Sequence, residues 1–185
     1  MSKIKLPLKQ AESLARRIVA ELAPGCSRIE IAGSIRRKKA EVGDIEIVCI
    51  PVLSYDLWGG VTPNNYALES VLFNLVQAGR LVPGGKDGSN YKKFFIPAVE
   101  GLQLDLFITS PECWPVIFAI RTGPADFSRM LVTQRSRGGY LPSNMRVEGG
   151  RVWEGDKPMK FETEIDFLEI CGGWIEPEIR RGKND

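Results

Sequence analysis

Residues 29–51 read IEIAGSIRRKKAEVGDIEIVCIP. Ile29 and Ile31 alternate as in a strand, and the run ends in Gly33-Ser34. Four cations follow: Arg36, Arg37, Lys38 and Lys39. Gly43-Asp44-Ile45-Glu46 then opens a second apolar run. Asp44 and Glu46 are two residues apart, a spacing that puts both carboxylates on one face of a strand. Such a pair repels itself unless a cation lies between its members. Ile45, Ile47 and Cys49 form the opposite face, while Val48 and Ile50 continue the acidic one. Apolar residues on both faces predict a central strand covered on both sides. Two carboxylates at the head of such a strand do not read as solvated surface. With glycine, serine and arginine beside them, they point to metal-dependent chemistry on a triphosphate.

Composition narrows the alternatives. The chain has 185 residues and 43% hydrophobic content, enough for one domain or two small lobes. Net charge is +2, so nucleic-acid affinity has to come from local clusters. There is no histidine, which excludes Ser-His and Cys-His nucleophiles and His-ligated zinc. Cys26, Cys49, Cys113 and Cys171 are too dispersed for a zinc ribbon or a CxxC redox motif. No signal-peptide core follows Met1 and no run is long enough to span a bilayer, so a soluble, intracellular protein is expected.

Along the chain, helical spacing predicts a helix over 7–23, ended by Pro24-Gly25. Strands are expected at 28–32 and 44–50. A short helix after Gly33-Ser34 would offer an anion its free N–H groups. A polar loop covers 52–65 and a helix 66–78. Leu81-Val82-Pro83 is short and extended, and residues 84–90 read as a flexible loop. Residues 92–98 and 102–109 read as paired strands, with Leu102, Leu104, Leu106 and Ile108 on one face and Gln103, Asp105 and Phe107 on the other. If this last strand neighbours the Asp44 strand, three carboxylates can converge. From Ser110 the composition changes. A helix is expected over 111–120, and a second from Pro124 carrying Phe127, Arg129, Met130, Leu131, Arg135 and Arg137. Short strands at 145–147 and 151–153 precede a helix at 164–170 capped by Thr163.

Five motifs stand in order: Gly33-Ser34-Ile35-Arg36-Arg37, Gly43-Asp44-Ile45-Glu46, Gln103-Leu104-Asp105-Leu106-Phe107, Thr122-Gly123-Pro124 and Trp174-Ile175-Glu176-Pro177-Glu178. Their sequence resembles the family X, or DNA polymerase beta-like, members of the nucleotidyltransferase superfamily over about residues 7 to 180. The small size resembles the reduced viral or phage-type members. The resemblance implies an α+β fold. Residues 1–109 would be a nucleotidyltransferase palm, a mixed β-sheet flanked by helices, and residues 110–185 a small thumb-like α+β subdomain.

It also implies roles. Asp44, Glu46 and Asp105 match the metal-binding and catalytic carboxylates, with Asp105 nearest the primer 3′-hydroxyl and its proton acceptor. Ser34 and Arg37 match residues that hold the β- and γ-phosphates, and Gly33 and Gly43 offer close backbone approach. Thr122 and Gly123 match the turn under the sugar, where the family has a cis peptide, so a cis Gly123-Pro124 bond is expected. The implied cofactor is a pair of Mg²⁺ ions, with Mn²⁺ an alternative. The implied partners are nucleoside triphosphates and a primer–template or gapped DNA duplex, bound by a monomer. Lys38, Lys39, Arg129, Arg135 and Arg137 are candidate DNA contacts, with Arg180 and Arg181 less favoured.

The chain departs from the family's pattern in three places. Glu46 stands where the family has aspartate, which lengthens one metal ligand by about 1.5 Å. Ile120-Arg121 replaces the aromatic pair before Thr-Gly. Ser128 and Val132 stand where the family has Asn and Arg. The leading expectation is a template-directed DNA polymerase. A template-independent or small-molecule nucleotidyltransferase and a non-catalytic nucleotide- or DNA-binding module are the alternatives.

Overall fold

Ala11, Leu14, Ala15, Ile18 and Leu22 are buried along one stripe of the first helix, at the spacing the sequence shows. The computed structural model describes residues 4–55, 61–63 and 65–180. It divides into two compact units, Met1–Ile35 with Lys39–Ser110, and Arg36–Lys38 with Pro111–Asp185.

The first unit begins with β1 (Leu6–Pro7) and α1 (Leu8–Leu22), which ends in a 3₁₀ turn over Ala23–Gly25. β2 (Cys26–Ile31), the single turn α2 (Gly33–Arg36), β3 (Glu41–Val42) and β4 (Asp44–Pro51) follow. β5 (Leu53–Tyr55) and β6 (Val61–Pro63) form a hairpin, so the loop expected over 52–65 contains two short strands. α3 (Asn65–Gln77) leads to β7 (Val82–Asp87), β8 (Tyr91–Ile96) and β9 (Leu102–Ile108). The segment expected to be a flexible loop from Gly84 is largely β7, because its backbone completes the edge of the sheet against β8.

The sheet order is β2-β4-β9-β8-β7. β4 and β9 run parallel and the other pairs antiparallel, so the sheet is mixed. Helices α1 and α3 cover one face of it, where Leu14, Ile18, Leu68 and Leu72 join Ile45, Ile47, Cys49, Leu104, Leu106 and Phe94 in one core. β4 and β9 are interior strands; beyond the core face, Val48, Ile50 and Phe107 are also buried. Alternation places Asp44, Glu46, Gln103 and Asp105 on the face opposite that core.

The second unit contains α4 (Trp114–Thr122), α5 (Ala125–Val132), the hairpin β10 (Met145–Glu148) and β11 (Arg151–Glu154), β12 (Lys157–Pro158) and α6 (Glu164–Ile170). Its own core gathers Val116, Ala119, Phe127, Leu131, Leu141, Val152, Phe167 and Leu168. α4 starts at Trp114 rather than Pro111. α5 does not carry Arg135 and Arg137. It stops at Val132, because Thr133 is extended (φ −95°, ψ 131°) and its hydroxyl donates back to the Arg129 carbonyl at 2.7 Å. Arg135–Arg137 form a separate 3₁₀ turn. The Gly123–Pro124 bond is trans, not cis. Extended dihedrals at Gly123 (φ −71°, ψ 158°) and Pro124 (φ −63°, ψ 160°) turn the chain between α4 and α5 with the isomer preferred by about 0.5–1 kcal/mol. Among the described residues, no helix is long and apolar enough to cross a membrane.

Candidate active site

The carboxylates meet through strand register. Glu46 on β4 is the direct partner of Asp105 on β9, and Asp44 is the partner of Gln103. Neighbouring strands lie about 4.8 Å apart, so Glu46 and Asp105 project side by side. Asp105 is 8% exposed. Its Oδ1 accepts a hydrogen bond from the Tyr91 hydroxyl at 2.6 Å, and its Oδ2 accepts one from the Gln103 amide at 2.7 Å. Tyr91 comes from β8, where it pairs with Phe107, and the two rings stack at 5.2 Å. Little in the sequence marks Tyr91. Its only signal is an aromatic residue at the head of a strand, and the link to Asp105 needs the β8–β9 register.

Glu46 is half-buried and lies against Gly33. The Ala32 N–H donates to the Glu46 carbonyl at 2.8 Å, which holds the end of β2 to β4. Gly33 has φ +59°, a conformation that costs any residue with a Cβ. A Cβ there would also fall 1.8 Å from Glu46 Oε2. The close approach expected for a phosphate is thus made here by a carboxylate. The Ser34 hydroxyl is buried and has no hydrogen-bond partner among the described residues. Gly43 is half-buried just before β4, and Lys39 donates its backbone N–H to the Ser34 carbonyl at 3.1 Å.

Whether this face suits a divalent cation can be judged from its donors. All three carboxylates are hard oxygen ligands of the kind Mg²⁺ takes, and they share one face. A carboxylate offers about four lone pairs, so the two hydrogen bonds on Asp105 leave positions open. The donor set fits. The side chains are not gathered, however: among the described residues no three acidic, cysteine or histidine side chains stand close enough together to hold a metal ion.

The remaining candidates lie in the second unit. Arg36 donates to the Thr122 hydroxyl at 2.5 Å and grips Glu164 with both terminal nitrogens, at 3.0 and 2.6 Å. Its guanidinium stands 4.0 Å from the Phe118 ring centroid. Arg37 donates to the Thr122 carbonyl at 2.6 Å. Thr122 itself is fully buried. Arg180 donates to Glu164 at 2.7 Å and lies over the Phe127 and Trp174 rings. Burial pushes its guanidinium below the usual arginine range, and the charge of Glu164 opposes that. At 1% exposure Arg180 is not available to a DNA phosphate, which corrects its place among the candidates. Arg181 lies outside the described residues. Gly123 is glycine for steric reasons, since a Cβ would fall 2.6 Å from Phe127.

Lys38 is exposed and takes φ 56°. Arg129 pairs with Asp126 at 2.7 Å, and Arg135 donates to the Ile170 carbonyl at 2.7 Å. Arg137 lines an open groove with Val132, Gln134, Arg146 and Val147. No protein-family model matches the chain, and no curated protein matches it.

Proposed function

We propose that this chain has the nucleotidyltransferase fold and is a metal-dependent nucleotidyltransferase: within that class, a DNA-directed DNA polymerase of family X type, filling short gaps. The observation that carries the reading is the register of Glu46 against Asp105, with Asp44 two residues back on the same face. Interior strands lined with aliphatic side chains gain nothing structural from three acids on one face. The buried Ser34 hydroxyl, without a partner among the described residues, supplies a donor near them in the chain.

Asp44, Glu46 and Asp105 would hold two Mg²⁺ or Mn²⁺ ions, whose charge would acidify the primer 3′-hydroxyl and offset that of the leaving pyrophosphate. Glu46 would have to turn its carboxylate off Gly33 to join the other two. Asp105 takes the hydroxyl proton at a carboxylate oxygen. The 3′-oxygen bonds to the α-phosphorus as the bond from that phosphorus to the pyrophosphate oxygen breaks. Ser34 donates to a phosphate oxygen, with Gly43 giving close backbone approach and Gly33 doing so only once Glu46 has moved off it. Lys38, Lys39, Arg129, Arg135 and Arg137 meet DNA phosphates without regard to sequence.

A non-catalytic nucleotide- or DNA-binding module is the second reading, favoured by the ungathered acidic side chains. The deciding assay offers a labelled primer alone, a primer–template and a gapped duplex, with Mg²⁺ or Mn²⁺ and each nucleotide. Templated extension that is lost in Asp105→Ala supports the polymerase. Extension of bare primer moves the activity to terminal transfer. No incorporation with either metal leaves the binding module.

A further inference from the structure

Asp105 is held by two uncharged donors, and its basic neighbour is led elsewhere. The direct cross-strand partner of Asp105 on β8 is Lys93. The stem of Lys93 lies over Gly84, where a Cβ would fall 2.6 Å from its Cγ. Its ammonium stands 5.7 Å from the Phe95 ring centroid. Glycine on β7 therefore gives the lysine a path across the sheet edge. The side-chain donors on Asp105 are Tyr91 at one oxygen and Gln103 at the other, with Glu46 its partner on β4.

We infer that Tyr91 is a positioning residue whose hydroxyl fixes the Asp105 carboxylate for a divalent cation, with Gln103 holding the second oxygen. This rests on the metal-dependent reading above. The phenol is itself rigid: its ring is stacked on Phe107, at an interplanar angle of 22°, and its backbone is fixed by the β8–β9 pairing. An aspartate pinned at both oxygens keeps one orientation, so the cation does not have to order it on binding. Neutral donors do this without placing a positive charge beside the cation, as a lysine or arginine would. Groups that orient a metal ligand in this way change metal affinity by about 10–100-fold when removed.

The test titrates the whole chain with Mn²⁺ alone and follows free Mn²⁺ by electron paramagnetic resonance. Tyr91→Phe keeps the ring on Phe107 and deletes only the hydroxyl. It is expected to bind Mn²⁺ about 10–100-fold more weakly than the unaltered chain. Gln103→Leu, which leaves Tyr91 in place, is expected to act in the same direction. An unchanged Mn²⁺ affinity in Tyr91→Phe overturns the inference and leaves the metal-dependent reading intact. No Mn²⁺ binding by the unaltered chain, or binding that Asp105→Asn does not weaken, overturns both.

Discussion

The Oε2 atom of Glu46 occupies the space that a Cβ on Gly33 would need, 1.8 Å from its ideal position. Position 33 is thus doubly restricted, by its φ of +59° and by the carboxylate packed on it. Left-handed backbone costs an ordinary residue about 1–2 kcal/mol. Gly33→Ala is expected to destabilise the chain by more than that, because Glu46 must also move. Glu46→Asp withdraws the terminal oxygen and should recover part of the loss. A double-mutant cycle from urea unfolding reads this directly, and strictly additive effects would show that the two residues do not share the space.

Glu164 is the shared acid of two arginines. Its carboxylate is 8% exposed and receives three hydrogen bonds from Arg36 and Arg180. Breaking a buried ion pair by removing one partner costs on the order of 3–5 kcal/mol, because the other charge stays buried. Glu164→Gln is expected to fall in that range in urea unfolding. Glu164→Gln combined with Arg180→Leu should be less destabilised than Glu164→Gln alone.

Asp166 carries a pH dependence. Backbone N–H groups of Thr163 and Glu162 donate to its Oδ2 at 2.8 and 2.9 Å, and the Asp166 N–H donates to the Thr163 hydroxyl, a capping box on α6. The backbone hydrogen bond from Thr163 leads in holding its carboxyl below the ordinary value. A carboxyl whose folded pKa is depressed stabilises the fold above its unfolded pKa and loses that contribution as pH falls through the folded value. Melting temperature is therefore expected to drop more steeply below about pH 4 in the unaltered chain than in Asp166→Asn. Parallel curves would remove Asp166 from the account. Thr163→Ala should cost about 1 kcal/mol at neutral pH.

The four cysteines are free thiols, Cys26 half-buried and the other three buried. Cys26 is half-buried, and a hydrogen bond from Cys49 lowers its pKa. Cys49 is fully buried and is pushed up, first by that same bond and then by burial. Burial pushes the Cys171 thiol up to about 12. One thiol is expected to react rapidly with a disulfide reagent at pH 8, and Cys26→Ser should abolish that phase. A fast phase that survives Cys26→Ser would place the reactive thiol elsewhere.

Most elements were readable because their apolar residues repeat at 3.6 or 2, as in α1, β4 and β9. The errors fell where local pattern is silent. The edge strand β7 is Gly-rich and is extended because β8 pairs with it. α5 ends early because the Thr133 hydroxyl bonds back to Arg129 and the chain bends to pair Gln134 with Leu141.

Read along the chain alone, Asp44 and Glu46 share a strand face, Asp105 alternates with an aliphatic row, and no histidine chemistry is available. Each of these follows from spacing or composition. Tertiary structure alone decided that Glu46 stands opposite Asp105, since register between strands more than fifty residues apart is set by the packing of the whole sheet. It also decided that Tyr91 holds Asp105, that Glu46 rests on Gly33, and that Arg180 is buried against Glu164 rather than free for a ligand. Those are contacts between side chains brought together by the fold, and no periodicity along the chain encodes them.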